Sequence, residues 1–404
     1  MKILHTADWH LGKRLQQFNR IDEQRQVLDE IVIITKQEEV DLVLIAGDLF
    51  DTYNPITEAV ELFYRTLHQL SNSGERAVVV IAGNHDSAQR IEAPHPLAAA
   101  CGIILCGNPD TRIPPFTLDT GLEVSKSQPG FVEIRLPNYS YPVRIILTPY
   151  ANEVTFKKYL GKEHPQDQLR QLLSRRWDAL AKEYCDNKGV NLLMAHLYFM
   201  SRNAPAPEES EDERSILFQG GAQAVFTEDL PKQIQYTALG HLHRPQEIPA
   251  NNPVVYSGSP LSYSFSEADQ KKQVEIIEIV PGDPVNRKTV PLSKGKKLTK
   301  QRFEDLDGAV KWLEDHPNAF VELTMVTDSY LGAKEKKRLH QAHKGIVTII
   351  PELKMSPEHK GPRESIDLNK DIKSLFIDYF KYRKGQAPNS ELLKILDEII
   401  HAEP

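Results

Sequence analysis

The sequence contains few cysteines and no long apolar run. Its 404 residues include three cysteines, Cys101, Cys106 and Cys185, which cannot all pair and are not spaced like the ligands of a zinc ribbon. We therefore expect reduced thiols in the core of a cytoplasmic protein. No apolar run approaches the ~20 residues that a membrane span requires. Met1 leads directly into an apolar segment, so we expect no signal peptide.

The sequence also has no excess of basic residues and no internal repeat. The chain has 49 Lys and Arg against 56 Asp and Glu, which gives a net charge of −7. This balance argues against a protein covered in positive charge to coat nucleic acid. It is compatible with a nuclease, because metal ions and local basic patches can neutralise phosphate. With 40% hydrophobic and 26% charged residues, a chain of this length is expected to form a large core and more than one domain.

Polar side chains that can bind metals follow five apolar runs, each of which predicts a buried strand. They are Asp8 and His10 after residues 3–6, Asp48 after 42–46, Asn84, His85 and Asp86 after 77–82, His196 after 192–195, and His241 and His243 after 236–240. Amphipathic helices between the first three runs predict a mostly parallel sheet, and open α/β sheets hold ligands at the carboxyl ends of their strands. Five such ends indicate one shared metal site.

Seven of these side chains are candidate metal ligands: Asp8, His10, Asp48, Asn84, His196, His241 and His243. They are too many for one tetrahedral zinc and include too few carboxylates for calcium. They fit two octahedral first-row ions such as manganese or iron, with Asp48 as the bridging carboxylate. Two ions ~3.5–4 Å apart can stabilise both the attacking and the leaving oxygen of a displacement at phosphorus.

His85 and Asp86 are the candidate catalytic residues. Because neighbouring side chains diverge, His85 cannot readily bind a metal if Asn84 does. We expect His85 to hydrogen-bond the phosphoryl group or to protonate the leaving oxygen, with Asp86 orienting its ring.

The order of these motifs resembles that of the calcineurin-like metallophosphoesterase superfamily. Asp-x-His, Gly-Asp-x-x-Asp, Gly-Asn-His-Asp, a single His and Gly-His-x-His follow one another, each after an apolar run. Within the superfamily the chain resembles the Mre-type repair nucleases and their bacterial counterparts. The stretches that carry this likeness are 5–12, 46–51, 240–246, and 256–261 with 264–267.

The resemblance implies a four-layer α/β/β/α sandwich and two metal sites. The first site would use Asp8, His10, Asp48 and His243, and the second Asp48, Asn84, His196 and His241, with His85 as the catalytic histidine. The implied activity is manganese-dependent 3′-to-5′ exonuclease action on duplex ends and endonuclease action on single strands and hairpins, in DNA repair, replication and recombination. Some relatives carry a histidine where this chain has Asp51, so the role of that histidine is not carried over.

Three regions are predicted, again with the help of the resemblance. They are a nuclease domain at 1–283, a capping domain at 284–358 that helps to place DNA, and a helical tail at 364–404 that binds an ATPase partner. Pro284 and the basic run from Lys294 to Arg302 predict a linker after the first domain, residues 357–363 predict a second linker, and the tail is predicted to hold two helices. Apolar residues of the tail, such as Phe376 and Phe380, recur at the spacing of a helix that binds in a groove. Packing of the tail on its own domain is the alternative. The resemblance also leads us to expect a homodimer.

Basic residues near the site and in the cap are candidate contacts for DNA phosphates. They are Lys13, Arg14, Lys336, Lys337 and Arg338. A solvated helix face explains the cap residues equally well.

Two other functions compete with the nuclease. A phosphodiesterase of small nucleotides would use the same metal chemistry, although the cap, the apolar tail and the Ser-Gly-Ser-Pro stretch argue against it. A non-catalytic scaffold would keep the metals for structure, but the presence of every proposed ligand and of His85 argues against it. A protein phosphatase is disfavoured because Thr52 follows Asp51 where Arg-Gly is typical.

Overall fold

The computed structural model describes residues 1–151, 165–209, 224–327, 331–353 and 372–384, with 388, 392, 393 and 396. The chain forms two compact units, one of residues 1–326 with 331–352 and one of residues 327–330 with 353–404. Among the described helices, none has both the length and the apolar character that crossing a bilayer requires.

The strands and helices alternate along the first part of the chain. The strands are β1 (Lys2–Thr6), β2 (Leu42–Ala46), β3 (Ala77–Ile81), β4 (Ile103–Cys106), β5 (Phe116–Thr117), β6 (Glu123–Gln128), β7 (Phe131–Arg135), β8 (Val143–Thr148), β9 (Val190–His196), β10 (Phe199–Met200), β11 (Val225–Phe226), β12 (Tyr236–Gly240), β13 (Gln246–Ile248), β14 (Val254–Tyr256), β15 (Gln273–Glu278), β16 (Asn286–Pro291), β17 (Lys297–Phe303), β18 (Ala319–Thr327) and β19 (Ile346–Leu353). The helices are α1 (Ile21–Gln37), α2 (Thr57–Ser71), α3 (Ala88–Glu92), α4 (His95–Ala99), α5 (Pro165–Tyr184), α6 (Leu306–Asp315), α7 (Ala333–Ala342) and α8 (Ile372–Lys384).

Two large sheets form the centre of the first unit. The six-stranded sheet has the order β16-β15-β1-β2-β3-β4, and the eight-stranded sheet has the order β13-β14-β12-β9-β8-β7-β6-β5. The strands β1 to β4 run parallel to one another, and β8, β9, β12 and β14 do the same in the second sheet. The strands that precede the candidate ligands are therefore neighbours within their sheets.

Side chains on the two faces of each sheet enter different cores, because successive residues of a strand point to opposite sides. Leu42 and Leu44 of β2 join residues of the second sheet such as Met194 in the core between the sheets. Val43 and Ile45 pack instead with apolar residues of α1 and α2.

The outer face of the second sheet packs against α5, where Leu173 and Trp177 belong to the same apolar core as Leu193. Helices, sheet, sheet and helix therefore form four layers, and the predicted α/β/β/α class is confirmed.

A small α+β part follows the sandwich. Strands β17, β18 and β19 form a three-stranded sheet whose apolar face packs on α6 and α7. Leu298, Phe320 and Val347 of this sheet also pack with Leu15 and Phe18 of the loop after β1. The three-stranded sheet is thus attached directly beside the loop that begins with the first candidate ligands.

The basic run around Lys297 and Arg302 reads as a linker in the sequence, but it forms β17, at the edge of this sheet. Charged residues are favoured at sheet edges because they discourage pairing with other chains. The predicted linker also contains β16, so the six-stranded sheet extends to Pro291, beyond the predicted boundary at 283. The division into three domains stays a prediction.

The first predicted tail helix is present as α8, where the rings of Phe376 and Phe380 lie 5.9 Å apart. The second predicted tail helix, apart from Leu392, Leu393 and Leu396, lies outside the described residues. So does the predicted linker at 357–363.

Candidate metal centre

The seven candidate ligands lie together where the two sheets meet. Asp8 and His10 follow β1, Asp48 follows β2, Asn84 follows β3, His196 ends β9, and His241 and His243 follow β12. All of them are buried except Asn84, which is partly exposed. The structure therefore brings together every residue that the sequence proposed as a ligand.

The backbone at these strand ends has an unusual conformation. Asp8, His10, Asp48 and His241 have φ values of 55°, 44°, 49° and 108°. Residues with side chains rarely adopt positive φ, and such conformations collect at functional sites, where the surrounding structure enforces them. The strained turns aim each side chain inward instead of letting it continue along the strand.

Gly47 and Gly240 allow the two sheets to approach this closely. A Cβ atom on Gly47, whose φ is +91°, would collide with the ring of His196. A Cβ atom on Gly240 would collide with the main-chain carbonyl of Ala46 and approach Nδ1 of His196 to 2.9 Å. Glycine at these two positions is what allows His196 to reach the end of β2.

The first ligand group consists of Asp8, His10, Asp48 and His243. Ligand atoms of Asp8, His10 and Asp48 lie within 4.8 Å of one another. Nε2 of His10 lies 3.5 Å from Oδ2 of Asp48 and 2.9 Å from Nε2 of His243. Buried Oδ2 of Asp8 and Nδ1 of His10 have no hydrogen-bond partner among the described residues. Converging ring nitrogens and an unpartnered carboxylate oxygen fit a divalent cation.

The second ligand group consists of Asp48, Asn84, His196 and His241. Ligand atoms of Asp48, His196 and His241 lie within 4.8 Å of one another. Oδ1 of Asn84 lies 3.0 Å from Nε2 of His196 and 3.1 Å from Nδ1 of His241. Nε2 of His196 lies 3.4 Å from Oδ2 of Asp48. Asp48 is shared by both groups, as a bridging carboxylate would be.

The histidines of the two groups are oriented by different partners. Nδ1 of His196 donates to the carbonyl of Ala46 at 2.8 Å, so its Nε2 is directed at Asp48 and Asn84. Nδ1 of His243 donates to Oε1 of Glu267 at 3.3 Å. Such hydrogen bonds to the far ring nitrogen fix the tautomer and the direction of a metal-binding histidine.

The charges of the site shift the pKa values of its members. Burial alone would raise the pKa of Asp48, but the charge and hydrogen bond of His196, with His10 and His85, hold that pKa well below its usual value. Burial lowers the pKa of His241 to about 3, and the charge of His196 acts in the same direction. An ionised Asp48 and a neutral His241 are the forms that bind metal ions.

His85 lies beside the first group, with its ring centre 4.9 Å from that of His10. Its Nδ1 contacts the main-chain carbonyl of Asp51 at 2.8 Å, and its backbone N–H donates to Oδ1 of Asp48 at 2.9 Å. The ring is therefore oriented by Asp51 through a backbone carbonyl. The side chain of Asp51 instead forms an ion pair with Lys13 at 3.2 Å.

The role predicted for Asp86 is wrong. Its carboxylate accepts hydrogen bonds from the backbone N–H groups of Leu49, Phe50 and Gly83, at 2.8–3.1 Å. Asp86 thus holds the turn that contains Asp48 against the loop after β3, and it does not orient the ring of His85. Main-chain partners of this kind leave no signal in a sequence.

Glu267 and Lys272 were not singled out by the sequence. Glu267 occurs in the Ser-Phe-Ser-Glu stretch, which was the one available signal, but its contact with His243 is visible only in the fold. Burial would raise the pKa of Glu267, yet Lys272, together with His243, lowers that pKa to about 2.

The candidate DNA contacts occupy two places. Lys13 and Arg14 lie on the loop after β1, where Arg14 donates to the carbonyl of Gln17 at 2.7 Å. The cap residues Lys336, Lys337 and Arg338 are exposed on α7. Gln16 of the same loop donates to the side chain of Thr348 on β19 at 2.9 Å, so the loop joins the metal centre to the three-stranded sheet.

The family model for calcineurin-like phosphoesterases matches residues 1–245, which is more than half of the chain. The chain belongs to the calcineurin-like phosphoesterase family. The resemblance inferred from the motifs is confirmed, and the protein is an enzyme of the phosphoesterase class. Ligand groups that could hold two ions, as found here, agree with that assignment.

Curated relatives are similar over most of the chain. The SbcD subunit of nuclease SbcCD from Bacillus subtilis (strain 168) is 36% identical over 405 residues, which cover 99% of this chain and 97% of that protein. The protein of the same name from Rhodobacter capsulatus is 33% identical over 290 residues, covering 70% of this chain and 67% of that protein. The protein of this name from Staphylococcus epidermidis is 29% identical over 303 residues, which cover 74% of this chain and 71% of that protein.

Proposed function

We propose that the chain is the metal-dependent DNA nuclease subunit of an SbcCD complex. Its activities would be 3′-to-5′ exonuclease action on duplex ends and endonuclease action on single strands and hairpins, in DNA repair, replication and recombination. The observation that supports this most strongly is the convergence of seven ligand side chains in a chain 36% identical, over 99% of its length, to a protein named as the SbcD subunit of nuclease SbcCD.

In this proposal Asp8, His10, Asp48 and His243 hold one ion, and Asp48, Asn84, His196 and His241 hold the other. Two manganese ions are the expected cofactor, since mixed carboxylate, amide and imidazole ligands suit that metal. When bound, the ions would supply Lewis acidity toward the phosphodiester and acidify water for attack.

His85 would contribute the proton that the leaving oxygen needs. Its contact with the carbonyl of Asp51 places a proton on Nδ1 and leaves Nε2 as the atom that meets the substrate. When the ring is charged, Nε2 carries a proton that it can give to the departing oxygen. The ring stacks edge-on against His10, so it lies on the side of the first ligand group.

The loop that carries Lys13 and Arg14 would guide the DNA backbone from the three-stranded sheet to the metals, and Lys336, Lys337 and Arg338 would contact phosphates farther from the site. A nuclease acting on chromosomal ends would do so in the cytoplasm of a bacterium. We also propose a homodimer. Sedimentation of a monomer at micromolar concentration would refute that part.

The tail would bind the ATPase subunit SbcC. Helix α8 exposes the large apolar side chains of Ile372 and Tyr379, which suits insertion into a groove of a partner. Deletion of residues 365–404 is expected to abolish co-purification with SbcC. Undiminished co-purification would show that the tail has another purpose.

The decisive experiment measures manganese-dependent cleavage of an end-labelled hairpin duplex, beside hydrolysis of bis-p-nitrophenyl phosphate. We expect the full chain to cleave the hairpin, SbcC with ATP to increase the rate, and Asp48→Ala to abolish it. Asp119→Ala, at an exposed turn, serves as the matched control and should cleave normally. Hydrolysis of the small ester without any cleavage of DNA, even with SbcC, would instead establish a phosphodiesterase of small nucleotides.

A further inference from the structure

A buried ion pair lies directly behind the first ligand group. Glu267 is 0% exposed and Lys272 is 8% exposed, and Nζ of Lys272 donates to Oε2 of Glu267 at 2.6 Å. Nζ also donates to the hydroxyl of Ser259 at 2.9 Å. Burying two charges costs so much desolvation that such pairs rarely stabilise a fold more than apolar residues of similar size would. The pair therefore calls for an explanation other than stability.

Both members of the pair hold His243. Oε1 of Glu267 accepts from Nδ1 of His243 at 3.3 Å and from the backbone N–H of Tyr263 at 3.2 Å. Nζ of Lys272 donates to the main-chain carbonyl of His243 at 3.0 Å. The imidazole and the backbone of this one residue are thus fixed together, and its Nε2 is directed at the first ligand group, 2.9 Å from Nε2 of His10.

The second group has a different support. The ring of His196 is held by the carbonyl of Ala46, a backbone atom that no side-chain substitution removes. A change at Glu267 or Lys272 should therefore act on the first group and leave the second group intact.

We propose that Glu267 and Lys272 are positioning residues that set the affinity of the first ligand group for its ion. This inference rests on the two-metal centre of the proposed function, but not on the identity of the substrate. Glu267 keeps the proton of His243 on Nδ1 and so keeps Nε2 free of a proton. Lys272 holds Glu267 in place through the hydrogen bond from its Nζ to Oε2. A carboxylate behind a metal-binding histidine typically contributes 10–100-fold to metal affinity.

The test is a titration of the metal-free full chain with Mn²⁺ alone, followed by calorimetry and by electron paramagnetic resonance. Wild type should bind two ions and show the spectrum of a coupled pair. Glu267→Gln should weaken one of the two affinities by about 10–100-fold and leave the other within about twofold. At one equivalent of Mn²⁺, its spectrum should match that of His243→Ala and differ from that of His196→Ala.

Matched controls separate positioning from general damage to the fold. Glu275→Gln neutralises another buried carboxylate, 1% exposed, which pairs with Arg287 at 3.6 Å. It should leave both affinities unchanged. Ser259→Ala removes one hydrogen-bond partner of Lys272 and one of Glu267 while it leaves both charges in place. It should weaken the same single site by a few-fold, and it tests the inference if Glu267→Gln does not fold.

Equal weakening of both sites, or no weakening of either in a folded variant, would overturn the inference. Because no DNA is present, its failure is distinct from failure of the proposed function. A wild-type chain that binds two ions but cleaves no DNA would refute the nuclease and leave the roles of Glu267 and Lys272 standing.

Discussion

The two ligand groups of the metal centre are built in different ways. The second group contains a ligand that belongs to a sheet: His196 is the last residue of β9, and the carbonyl that orients it ends β2. In the first group, His10 and His243 lie on loops, and His243 is oriented by side chains from a segment more than 20 residues farther along the chain. One group thus depends on how closely two backbones approach, and the other on a buried network of side chains.

Because of this difference, the two ligand groups of one metal centre should be sensitive to different kinds of substitution. The second group should be sensitive to added volume at the junction of the sheets. The first should be sensitive to polar substitutions behind the ligands. Asp48 and the turn that carries it belong to both groups, so damage there should affect both equally.

The largest effect is expected for His85→Gln. Loss of the proton donor should lower the rate of hairpin cleavage by about 10²–10⁴-fold, the usual contribution of general acid catalysis, while both ions remain bound. Cleavage rate and manganese stoichiometry are measured together. His340→Gln, an exposed histidine of α7, is the control. Normal cleavage by His85→Gln would remove this residue from the chemistry.

Gly240→Ala tests the backbone weakness of the second group. The added Cβ would collide with the carbonyl of Ala46, so we expect a loss of about 2–3 kcal/mol in the free energy of unfolding of the metal-free protein. The affinity of the second group for manganese should fall with it. Gly332→Ala, at the N-cap of α7, has a Cβ that would meet only Glu335 at 3.6 Å and should cost no more than about 1 kcal/mol. Urea denaturation compares the two, and equal stabilities would contradict this account of the junction.

Asp86→Asn tests the part that the two groups share. The carboxylate accepts from three backbone N–H groups around Asp48, and an amide cannot serve them all. We expect a loss of about 1–2 kcal/mol in stability and similar weakening of both manganese affinities. Selective loss of one ion would show that the turn supports only one group.

The smallest effect is expected far from the metals. Charge reversal of Lys336, Lys337 and Arg338 should weaken duplex binding and lower the slope of log affinity against log salt concentration by about 0.9 for each phosphate that is no longer neutralised. Metal affinities and hydrolysis of the small ester should not change. An unaltered slope would identify these residues as a solvated helix face.

Much of the metal centre could be predicted because its ligands follow apolar runs. Asp8, Asp48 and His196 each lie at or shortly after the end of a strand that an apolar run in the sequence predicts. Parallel strands then bring these ends together. The task of Asp86 could not be predicted, since its partners are backbone N–H groups. Lys272 could not be predicted either, because no spacing rule links a lysine to a histidine 29 residues earlier.

The fold shows the same contrast. The four layers follow from strands and helices of clear periodicity, but β17 was mistaken for a linker. An edge strand that alternates Lys297, Leu298, Thr299 and Lys300 shows too few apolar residues to predict a strand. Pairing with the buried β18 supplies the stability that its own composition lacks.

Four ligand residues, Asp8, His10, Asp48 and His241, have a left-handed backbone that serves metal binding but lowers thermal stability. Each such conformation costs on the order of 1–2 kcal/mol in a residue that has a side chain. Asp8 adds a buried oxygen that has no hydrogen-bond partner in the described structure. Substitutions that relieve this strain should therefore make the metal-free protein more resistant to heat while they destroy its metal site. A thermostable variant that was selected for heat resistance alone, without an activity screen, should therefore carry substitutions at these four ligand residues before others.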